Sequence, residues 1–442
     1  MTITDVTSDT ARTTGSPFAP RILAAWHQIG RADLRTHLSV HGPLPLPKRG
    51  HHQSVARLVE EVRDSGLTGR GGAGFPAARK WDSVRGSGHL LLVVNAMEGE
   101  PASGKDRALL SGAPHLVLDG AQLTAAAVGA REIVLCVADD KPEAARSVQA
   151  ALDERISRRV GGVPVKVLRP PGAYVSGEES ALVGWIAGGA ATPAFRKQKG
   201  TPLRVKRRPT LVHNAETLAH VALIARYGPG WFRAVGLPDA PGTSLVSASG
   251  ALEHPGVYEV ELGTPVRRIL EGAGLREPLA GVLVGGYGGT WLHPDSLDTP
   301  YAPGPLAAAG SAMGAGVLAA VGVSSCGVVE TARIATYMAG ESAGQCGPCV
   351  FGLPAIAGDL VHLAHGEADR PTLARLRMRL DVVAGRGACR HPDGVVRLVR
   401  SALQVFASDF AEHARHQPCQ GSKRRPDLPV PRSADETVRG LR

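Results

Sequence analysis

The pattern of apolar and polar positions divides the chain into three regions of different periodicity. From residue 51 to 235, short apolar runs alternate with amphipathic stretches. A buried strand is predicted for the apolar run Leu90–Ala96, and two further strands for Glu132–Val137 and Val163–Leu168. Helices are predicted for the stretches with helical spacing, which are Ser54–Ser65, Leu116–Val128, Pro142–Arg158 and a segment that begins near Glu178. Strands that alternate with helices indicate a parallel sheet with right-handed crossovers.

The periodicity changes twice more towards the C-terminus. Between residues 243 and 295, the short strands SLVSASGAL, GVYEVEL and AGVLVGG flank one helix at Pro265–Ala273, which predicts a small α+β module. From 324 to 414 a small helical bundle is predicted, with helices at Val328–Met338, Leu353–His365, Pro371–Ala384 and Val395–His413. Residues 1–50 are predicted to form a polar arm with one helical patch at Ile22–Ile29, and residues 415–442 to be disordered.

Composition narrows the classes of function. The 442 residues carry a net charge of +10, which favours phosphate-bearing ligands or an acidic protein partner. No RNP, helix-turn-helix or zinc-finger pattern supports binding of nucleic acid. The uncharged stretch from Thr299 to Val329 is too rich in Ala and Gly to predict a membrane span, so no membrane insertion is expected. Six cysteines without a recognisable signal peptide are expected to be thiols or metal ligands of a cytoplasmic protein.

A glycine-rich loop at Gly66–Trp81 is the first candidate site. Its glycines allow backbone N–H groups to surround an anion, and Arg70 and Lys80 add positive charge. Gly69, Gly71 and Gly74 match the dinucleotide pattern G-x-G-x-x-G, but the residues before them have helical rather than strand spacing. The loop therefore predicts a phosphate cradle that differs from the Rossmann one. The alternative is a flexible surface loop.

Two acidic loops accompany the glycine-rich loop. Glu98 and Glu100 follow the first predicted strand, at the edge where open α/β sheets bind ligands. Glu178 and Glu179 stand at the start of a predicted helix after the third strand. Carboxylates at that position either face the same pocket or only complement the helix dipole.

Cysteines and basic residues form two further candidate sites. Cys346 and Cys349 form a C-x-x-C pair and Cys389 follows later, which is spacing for a zinc or iron–sulfur site. His391 could complete a zinc site with these three cysteines.

The basic run from Arg196 to Arg208 is either a solvated surface or a region that steers phosphate or an acidic redox partner.

The chain resembles the NADH-oxidising, FMN-binding subunit of respiratory complex I and the related diaphorase subunits of formate dehydrogenases and hydrogenases. The resemblance rests on five motifs that follow one another in the same order, GRGGAGFP, NAMEGEP, GAYVSGEE, PTLVHNAETLAHV and ESAGQCGPC. The resemblance covers about residues 50 to 410. It implies an α/β FMN-binding domain at 51–235, a β-grasp (SLBB-type) module at 243–295 and a C-terminal helical bundle with an iron–sulfur motif at 324–414. It also implies transfer of electrons from NAD(H) or NADP(H) to a redox partner, either ferredoxin-like or another electron-transfer subunit.

The resemblance assigns residues to each cofactor. Those implied to surround FMN are Gly69, Arg70, Gly71, Gly72, Gly74, Lys80, Asn95, Gly177, Glu178, Asn214 and Thr217. Those implied to lie near the nicotinamide nucleotide are Phe75, Glu98, Glu100 and Glu179, with Glu98 and Glu179 as the catalytic candidates. Those implied to hold a [4Fe–4S] cluster are Cys346, Cys349 and Cys389.

The chain departs from the family pattern at four positions. Met97 replaces an aspartate, Ala343 replaces the first cluster cysteine, and Ser83 and Lys199 replace aromatic residues. The cluster ligand set is therefore incomplete, and NADPH or reduced ferredoxin becomes an alternative electron donor. A second alternative is a non-catalytic paralogue that serves as a scaffold, with structural zinc in place of the cluster.

Overall fold

The computed structural model describes residues 21–24, 33–47, 52–195, 203–369 and 371–431. Most of the predicted arm and of its helical patch lies outside the described residues, although Ile22 and Leu23 are described and buried. The first seven residues of the basic run, 196–202, with Lys199 among them, also lie outside.

A five-stranded sheet forms the core of the N-terminal half. In chain order, its strands and helices are α1 (Leu34–His41), α2 (His52–Ser65), α3 (Ala77–Asp82), β1 (Leu91–Ala96), α4 (Lys105–Gly112), α5 (Pro114–Val128), β2 (Glu132–Val137), α6 (Pro142–Ser157), β3 (Val165–Leu168), α7 (Glu179–Ile186), β4 (Arg204–Val205), β5 (Arg208–Asn214) and α8 (Ala215–Arg233). The strand order is β3-β2-β1-β5-β4, and all neighbours are parallel except β4 and β5. The three predicted strands and their parallel pairing are confirmed.

Helices α5 and α8 pack closely over this sheet. A Cβ at Gly120 would lie only 1.8 Å from the Leu218 carbonyl oxygen, so α5 needs glycine at the crossing point. Trp81, Leu116 and Leu211 are fully buried in the same apolar core. This packing fixes the positions of Asn95 and Asn214, which end the paired strands β1 and β5.

A second sheet follows. A separate short hairpin, β6 (Gly236–Leu237) and β7 (Ala240–Pro241), precedes it. The elements of this region are then β8 (Thr243–Gly250), β9 (Gly256–Glu261), α9 (Val266–Gly272), β10 (Leu279–Val284), β11 (Thr290–Leu292), α10 (Pro303–Ala308) and β12 (Val317–Gly322). The strand order is β11-β10-β12-β8-β9, and only β12 and β8 are parallel. The central strand β12 is buried along its whole length, which accounts for the lack of charge in that part of the stretch Thr299–Val329.

The C-terminal part is helical, as predicted. Its elements are α11 (Gly327–Gly340), a π-helical turn (Pro348–Gly352), α12 (Leu353–His365), α13 (Thr372–Val383), α14 (His391–Val405) and α15 (Ala407–His413). The single helix predicted for Val395–His413 is wrong, because the chain breaks at Phe406 into α14 and α15. None of the helices among the described residues is both long and apolar enough to cross a membrane.

Residues 415–431 form an ordered C-terminal extension that packs on α11. Leu428 and Val430 are buried. The Asp427 carboxylate accepts hydrogen bonds from the Ser325 hydroxyl (2.6 Å) and the Gly322 amide (3.2 Å). The prediction of disorder from residue 415 is therefore wrong for this segment, and residues 432–442 lie outside the described part of the chain.

Candidate functional site

A cavity of about 500 Å³ lies where the two sheets and the helical region meet. Its volume falls in the range of small-molecule and cofactor sites. The predicted site residues that line it are Arg70, Gly71, Gly72, Asn95, Glu98, Glu100, Gly177, Glu178, Asn214 and Cys389. Gly69 and Gly74 line a smaller cavity of about 150 Å³, which Arg70 and Gly72 also border. The predicted residues outside both linings are Phe75, Lys80, Glu179, Thr217, Cys346 and Cys349.

The glycine-rich loop is held by backbone contacts. The Gly69 amide donates to the Phe75 carbonyl at 2.9 Å, and the Arg70 amide donates to the Thr217 hydroxyl at 2.9 Å. Gly72 has φ +104, and a Cβ there would lie 3.4 Å from the Gly314 carbonyl oxygen. Residues with side chains rarely adopt this conformation, so glycine lets the backbone line the cavity directly.

The side chains of Arg70 and Lys80 both have polar partners within the protein. The buried Arg70 guanidinium donates to the Thr243 carbonyl (3.1 Å) and the Thr68 hydroxyl (2.8 Å). The Lys80 ammonium pairs with the Glu179 carboxylate. The expectation that these two side chains supply positive charge at the loop stays a prediction; Arg70 lines both cavities and Lys80 lines neither.

Lys105 supplies a buried positive charge that the sequence motifs do not predict. It lines both cavities, and its ammonium lies 3.0 Å from Asp106, 2.9 Å from Glu216 and 3.2 Å from the Asn214 amide oxygen. Burial lowers the pKa of Lys105, but the carboxylates of Asp106 and Glu216 outweigh burial and raise the pKa above its ordinary value. The lysine therefore stays charged. The one local signal for it is a Gly-Lys-Asp sequence shortly after the first strand, at the start of α4, a helix that the apolar pattern does not predict.

Glu98 holds the start of α4. Its carboxylate accepts hydrogen bonds from the amides of Asp106 (2.7 Å) and Arg107 (3.1 Å) and from the Ser103 hydroxyl (3.0 Å). Burial, and then the Asp106 carboxylate, raise the pKa of Glu98. Glu98 also has φ +48, a conformation that is uncommon for a residue with a side chain and that occurs at functional sites.

Glu100 is buried on the opposite side of this turn. Its carboxylate accepts hydrogen bonds from the Tyr287 amide (2.8 Å), the Ala102 amide (3.3 Å) and the Tyr174 hydroxyl (3.2 Å). These bonds favour the ionised form, but burial outweighs them and raises the pKa of Glu100 to about 7. Glu100 therefore titrates near neutral pH on the cavity wall.

The loop before α7 is tied to the end of β1. The Asn95 amide donates to the Gly177 carbonyl at 2.8 Å. Glu178 is the N-cap of α7 and accepts hydrogen bonds from the amides of Ser180 (2.9 Å) and Ala181 (3.1 Å). Glu178 thus serves both predicted roles, because it caps the helix and also lines the cavity.

The three predicted cluster cysteines lie next to the cavity. Cys389 lines it directly, and Cys346 accepts a hydrogen bond from the Ala388 amide at 3.5 Å. Burial, and then the neighbouring thiols of Cys346 and Cys389, raise the pKa of Cys349 to about 12. Hydrogen bonds from amides to sulfur are among the features that tune iron–sulfur centres.

The zinc alternative at these cysteines lacks support. His391 would complete it through Nδ1, which has no hydrogen-bond partner among the described residues while Nε2 contacts the Met338 carbonyl at 2.7 Å, so the imidazole alone does not decide against zinc. The ligand atoms of these three cysteines and His391 do not all lie within 4.8 Å of one another. Another group of described side chains in the chain does meet that spacing. Three thiols at wider spacing suit a multi-iron cluster better than a single ion.

The residues present fit the flavin that the resemblance implies. A Cβ at Gly71 would lie 3.3 Å from the Asn214 side chain, and one at Gly177 would lie 3.2 Å from that of Met97. These close approaches leave backbone at the cavity wall, and Lys105 lies on the same lining. Met97 itself is buried behind this wall.

Comparison with known proteins agrees with this geometry. The Nuo51 FMN-binding domain family matches residues 62–223, and the NADH-ubiquinone oxidoreductase-F iron-sulfur binding region matches residues 330–413. The NADH-quinone oxidoreductase F subunit numbered 2 in Rhizobium meliloti is 32% identical over 82% of this chain and 90% of its own length. The NADH-quinone oxidoreductase F subunit of Streptomyces coelicolor is 33% identical over 82% of this chain and 84% of its own length.

A solved structure shows the same architecture. The crystal structure of NAD+-reducing [NiFe]-hydrogenase in the air-oxidized state superposes with a TM-score of 0.76 at 30% identity, over 88% of this chain and 67% of the hydrogenase chain. The overlap extends well beyond the two matched domains. The chain therefore belongs to the family of NADH-quinone oxidoreductase F subunits, with an FMN-binding domain and a [4Fe–4S]-binding region.

Proposed function

We propose that this chain is a flavin-dependent subunit that oxidises NADH at FMN and passes the electrons through its iron–sulfur cluster to a partner protein. One observation carries the proposal. Cys389, a predicted cluster ligand, lines the same cavity as the glycine-rich loop and the ends of the paired strands β1 and β5. A flavin in this cavity would therefore lie beside the cluster, as transfer between the two requires.

Bound FMN would supply acceptance of a hydride and release of single electrons. The chain's own residues bind and orient it. The backbone of Gly71 and Gly72 lines the cavity, and Lys105 offers positive charge to the phosphate. Asn95 and Asn214 fix the floor of the site through their bonds to the Gly177 carbonyl and to Asp106 (2.8 Å). Glu98 is a positioning residue, because it acts by holding the helix that carries Lys105.

The nicotinamide nucleotide is assigned to the more exposed side of the loop. Phe75 is 51% exposed there, and the Lys80–Glu179 pair is only partly buried. Phe75 would contact a nucleotide ring, while Lys80 and Glu179 would meet its phosphate and hydroxyl groups. Glu100 on the cavity wall can hold a proton near pH 7. NADH is the favoured donor because the matched relatives are named for it.

Two finer assignments complete the proposal. The second sheet is a β-grasp (SLBB-type) module, which its order β11-β10-β12-β8-β9 with parallel central strands supports. The cluster is held by Cys346, Cys349 and Cys389, and Ala343 leaves the fourth iron to an exchangeable ligand.

Val350 and Phe351 directly follow Cys349 and are exposed, so they offer an apolar surface beside the cluster to an electron-transfer partner.

Titration of the purified protein with FMN tests the cavity assignment. Ala312 lines both cavities, so A312W should fill them and weaken FMN affinity by about tenfold or more. Ala309 is exposed three residues earlier and outside both linings, so A309W is the matched control and should bind FMN like the wild type. Wild-type protein that binds no FMN, or equal affinity in both variants, would overturn the assignment.

A further inference from the structure

Three metal-binding side chains meet at the junction between α11, α15 and the C-terminal extension. Cys326 caps α11, His413 ends α15, and Cys419 lies in the extension. Their donor atoms all lie within 4.8 Å of one another, and the described part of the chain contains one such group of three. We propose that Cys326, His413 and Cys419 form a structural site for a single Zn²⁺ ion, separate from the flavin and the cluster.

The donor spacing matches a tetrahedral zinc site. Zinc lies about 2.3 Å from thiolate sulfur and about 2.0 Å from imidazole nitrogen, which places the two donors roughly 3.5 Å apart at the tetrahedral angle. The observed distance from Cys326 Sγ to His413 Nε2 is 3.5 Å. Little movement of these two side chains is therefore needed to bind the ion.

His413 is held in the tautomer that a metal ligand needs. Its Nδ1 lies 2.9 Å from the Leu363 carbonyl oxygen, which can only accept, so Nδ1 carries the proton. The Nε2 lone pair is then directed towards Cys326, and it accepts a hydrogen bond from the Cys419 amide at 3.2 Å. A metal ion would replace that single bond. An imidazole whose second nitrogen donates to a backbone carbonyl is the usual arrangement at zinc sites.

The donor set also indicates which metal. Two thiolates and one imidazole favour zinc over magnesium or calcium, which prefer oxygen ligands. His413 and Cys326 are almost completely buried, which suits a structural ion. The fourth position would be left to water, because the group contains three protein donors.

The site would fasten the C-terminal extension to the helical region. Cys419 belongs to the extension, whereas the other two ligands belong to α11 and α15. A Cβ at Gly421 would lie 2.6 Å from the Ser325 backbone, so the chain runs tightly against the start of α11 just beyond Cys419. Zinc here would thus stabilise the contacts of Asp427 with Ser325 and Gly322.

Metal analysis of full-length variants tests the proposal. Wild-type protein produced with iron and zinc should contain close to one zinc per chain in addition to its iron and acid-labile sulfide. C419S should lose the zinc and keep the iron, since Cys419 lies outside both matched domains. C346S, the matched control, should lose iron and keep the zinc.

The wild-type part of a second measurement does not depend on whether a variant folds. Wild-type protein freed of zinc by a chelator, under conditions in which its iron content is unchanged, is titrated with Co²⁺, and a thiolate-to-cobalt charge-transfer band should reach its maximum at one equivalent. The same band should persist in C346S. In C419S the affinity for Co²⁺, read from the titration of this band, should fall by more than the roughly 10- to 100-fold that is usual when a group that only supports a ligand is changed. Zinc retained in C419S, a wild-type protein without zinc or cobalt binding, or a disulfide between Cys326 and Cys419 would overturn the proposal.

Discussion

The Lys105 ammonium lies 2.9 Å from the Glu216 carboxylate, and both side chains are buried at the base of the candidate flavin site. Glu216 also accepts hydrogen bonds from the Leu245 amide (2.8 Å) and the Ser244 hydroxyl (3.0 Å) at the start of the second sheet. The pair therefore connects α4, α8 and β8. Its geometry joins the two sheets and places the lysine at the cavity.

Replacing Lys105 with methionine should destabilise the protein by about 3–5 kcal/mol, because Asp106 and Glu216 would be left buried without their cation. FMN affinity should fall with it. Chemical denaturation and an FMN titration measure the two effects. K141M is the matched control, since Lys141 pairs with the exposed Asp140 and should change stability by less than about 1 kcal/mol. Equal stability of both variants would contradict this role of Lys105.

Replacing Glu98 with alanine should cost about 1–2 kcal/mol of stability, because the start of α4 loses its cap. FMN affinity should also weaken, by about tenfold, as Lys105 loses its fixed position. The matched control is D33A, which removes the cap of α1 from the Thr36 amide, far from the cavity lining. D33A should lose stability but keep its FMN affinity. An E98A protein that binds FMN normally would show that Glu98 does not position the site.

Glu100 should make stability depend on pH near neutrality. Burial raises its pKa from 4.5 to about 7, so the folded state holds this proton more tightly than the unfolded chain. The resulting stabilisation is complete below pH 4.5 and is lost as the pH rises through 7. E100Q should therefore reduce the loss of stability between pH 5 and pH 8, by up to about 3 kcal/mol.

Thermal unfolding midpoints across this pH range measure the effect of E100Q. Part of the pH dependence should remain, because burial also raises the pKa of Glu330 to about 7. E60Q, on the exposed side of α2, serves as the control and should unfold with the wild-type pH dependence. The same slope in E100Q and wild type would contradict the buried, protonated state of Glu100.

Ala343→Cys should complete the cluster. The family pattern has cysteine at this position, so A343C would supply a fourth thiolate beside Cys346. The rate of iron loss to a chelator should fall by at least roughly tenfold. That is the lower end of the effect on metal affinity that is usual even for groups that only support a ligand. Absorption of the cluster during chelation measures this rate. A339C adds a thiol near the end of α11 and should leave the rate unchanged. Faster or equal iron loss in A343C would contradict the assignment of the missing ligand position.

The regular elements of the first sheet can be predicted from local patterns. The strands around Val93 and Val134 are mostly apolar, the strand around Val167 has β-branched residues on both sides of one lysine, and the neighbouring helices have clear periodicity. Strand β5 is not predicted, because it directly follows the basic run. Strand β12 is not predicted either, since burial of all its residues removes the alternation that marks a strand.

The candidate site is predictable only where it depends on short motifs. The glycines and the strand-end carboxylates stand in local patterns. Lys105, by contrast, gains its role from partners 109 and 111 residues away, Asn214 and Glu216. Arg70 likewise has a partner that the local pattern does not predict, a carbonyl 173 residues away. The C-terminal extension packs through similar contacts, since the Asp427 amide donates to a carboxylate 97 residues away. Such pairings follow from tertiary structure, which local periodicity does not encode.

The absorption spectrum of anaerobically purified protein, supplied with iron and FMN, tests the central claim most directly when it is recorded before and after addition of NADH. The flavin bands should bleach on NADH addition, because the nucleotide would reach FMN over the exposed side of the glycine-rich loop. Dithionite serves as the control that the bound flavin can be reduced. Flavin bands that bleach with dithionite but persist with both NADH and NADPH would contradict the proposal that this chain oxidises a nicotinamide nucleotide.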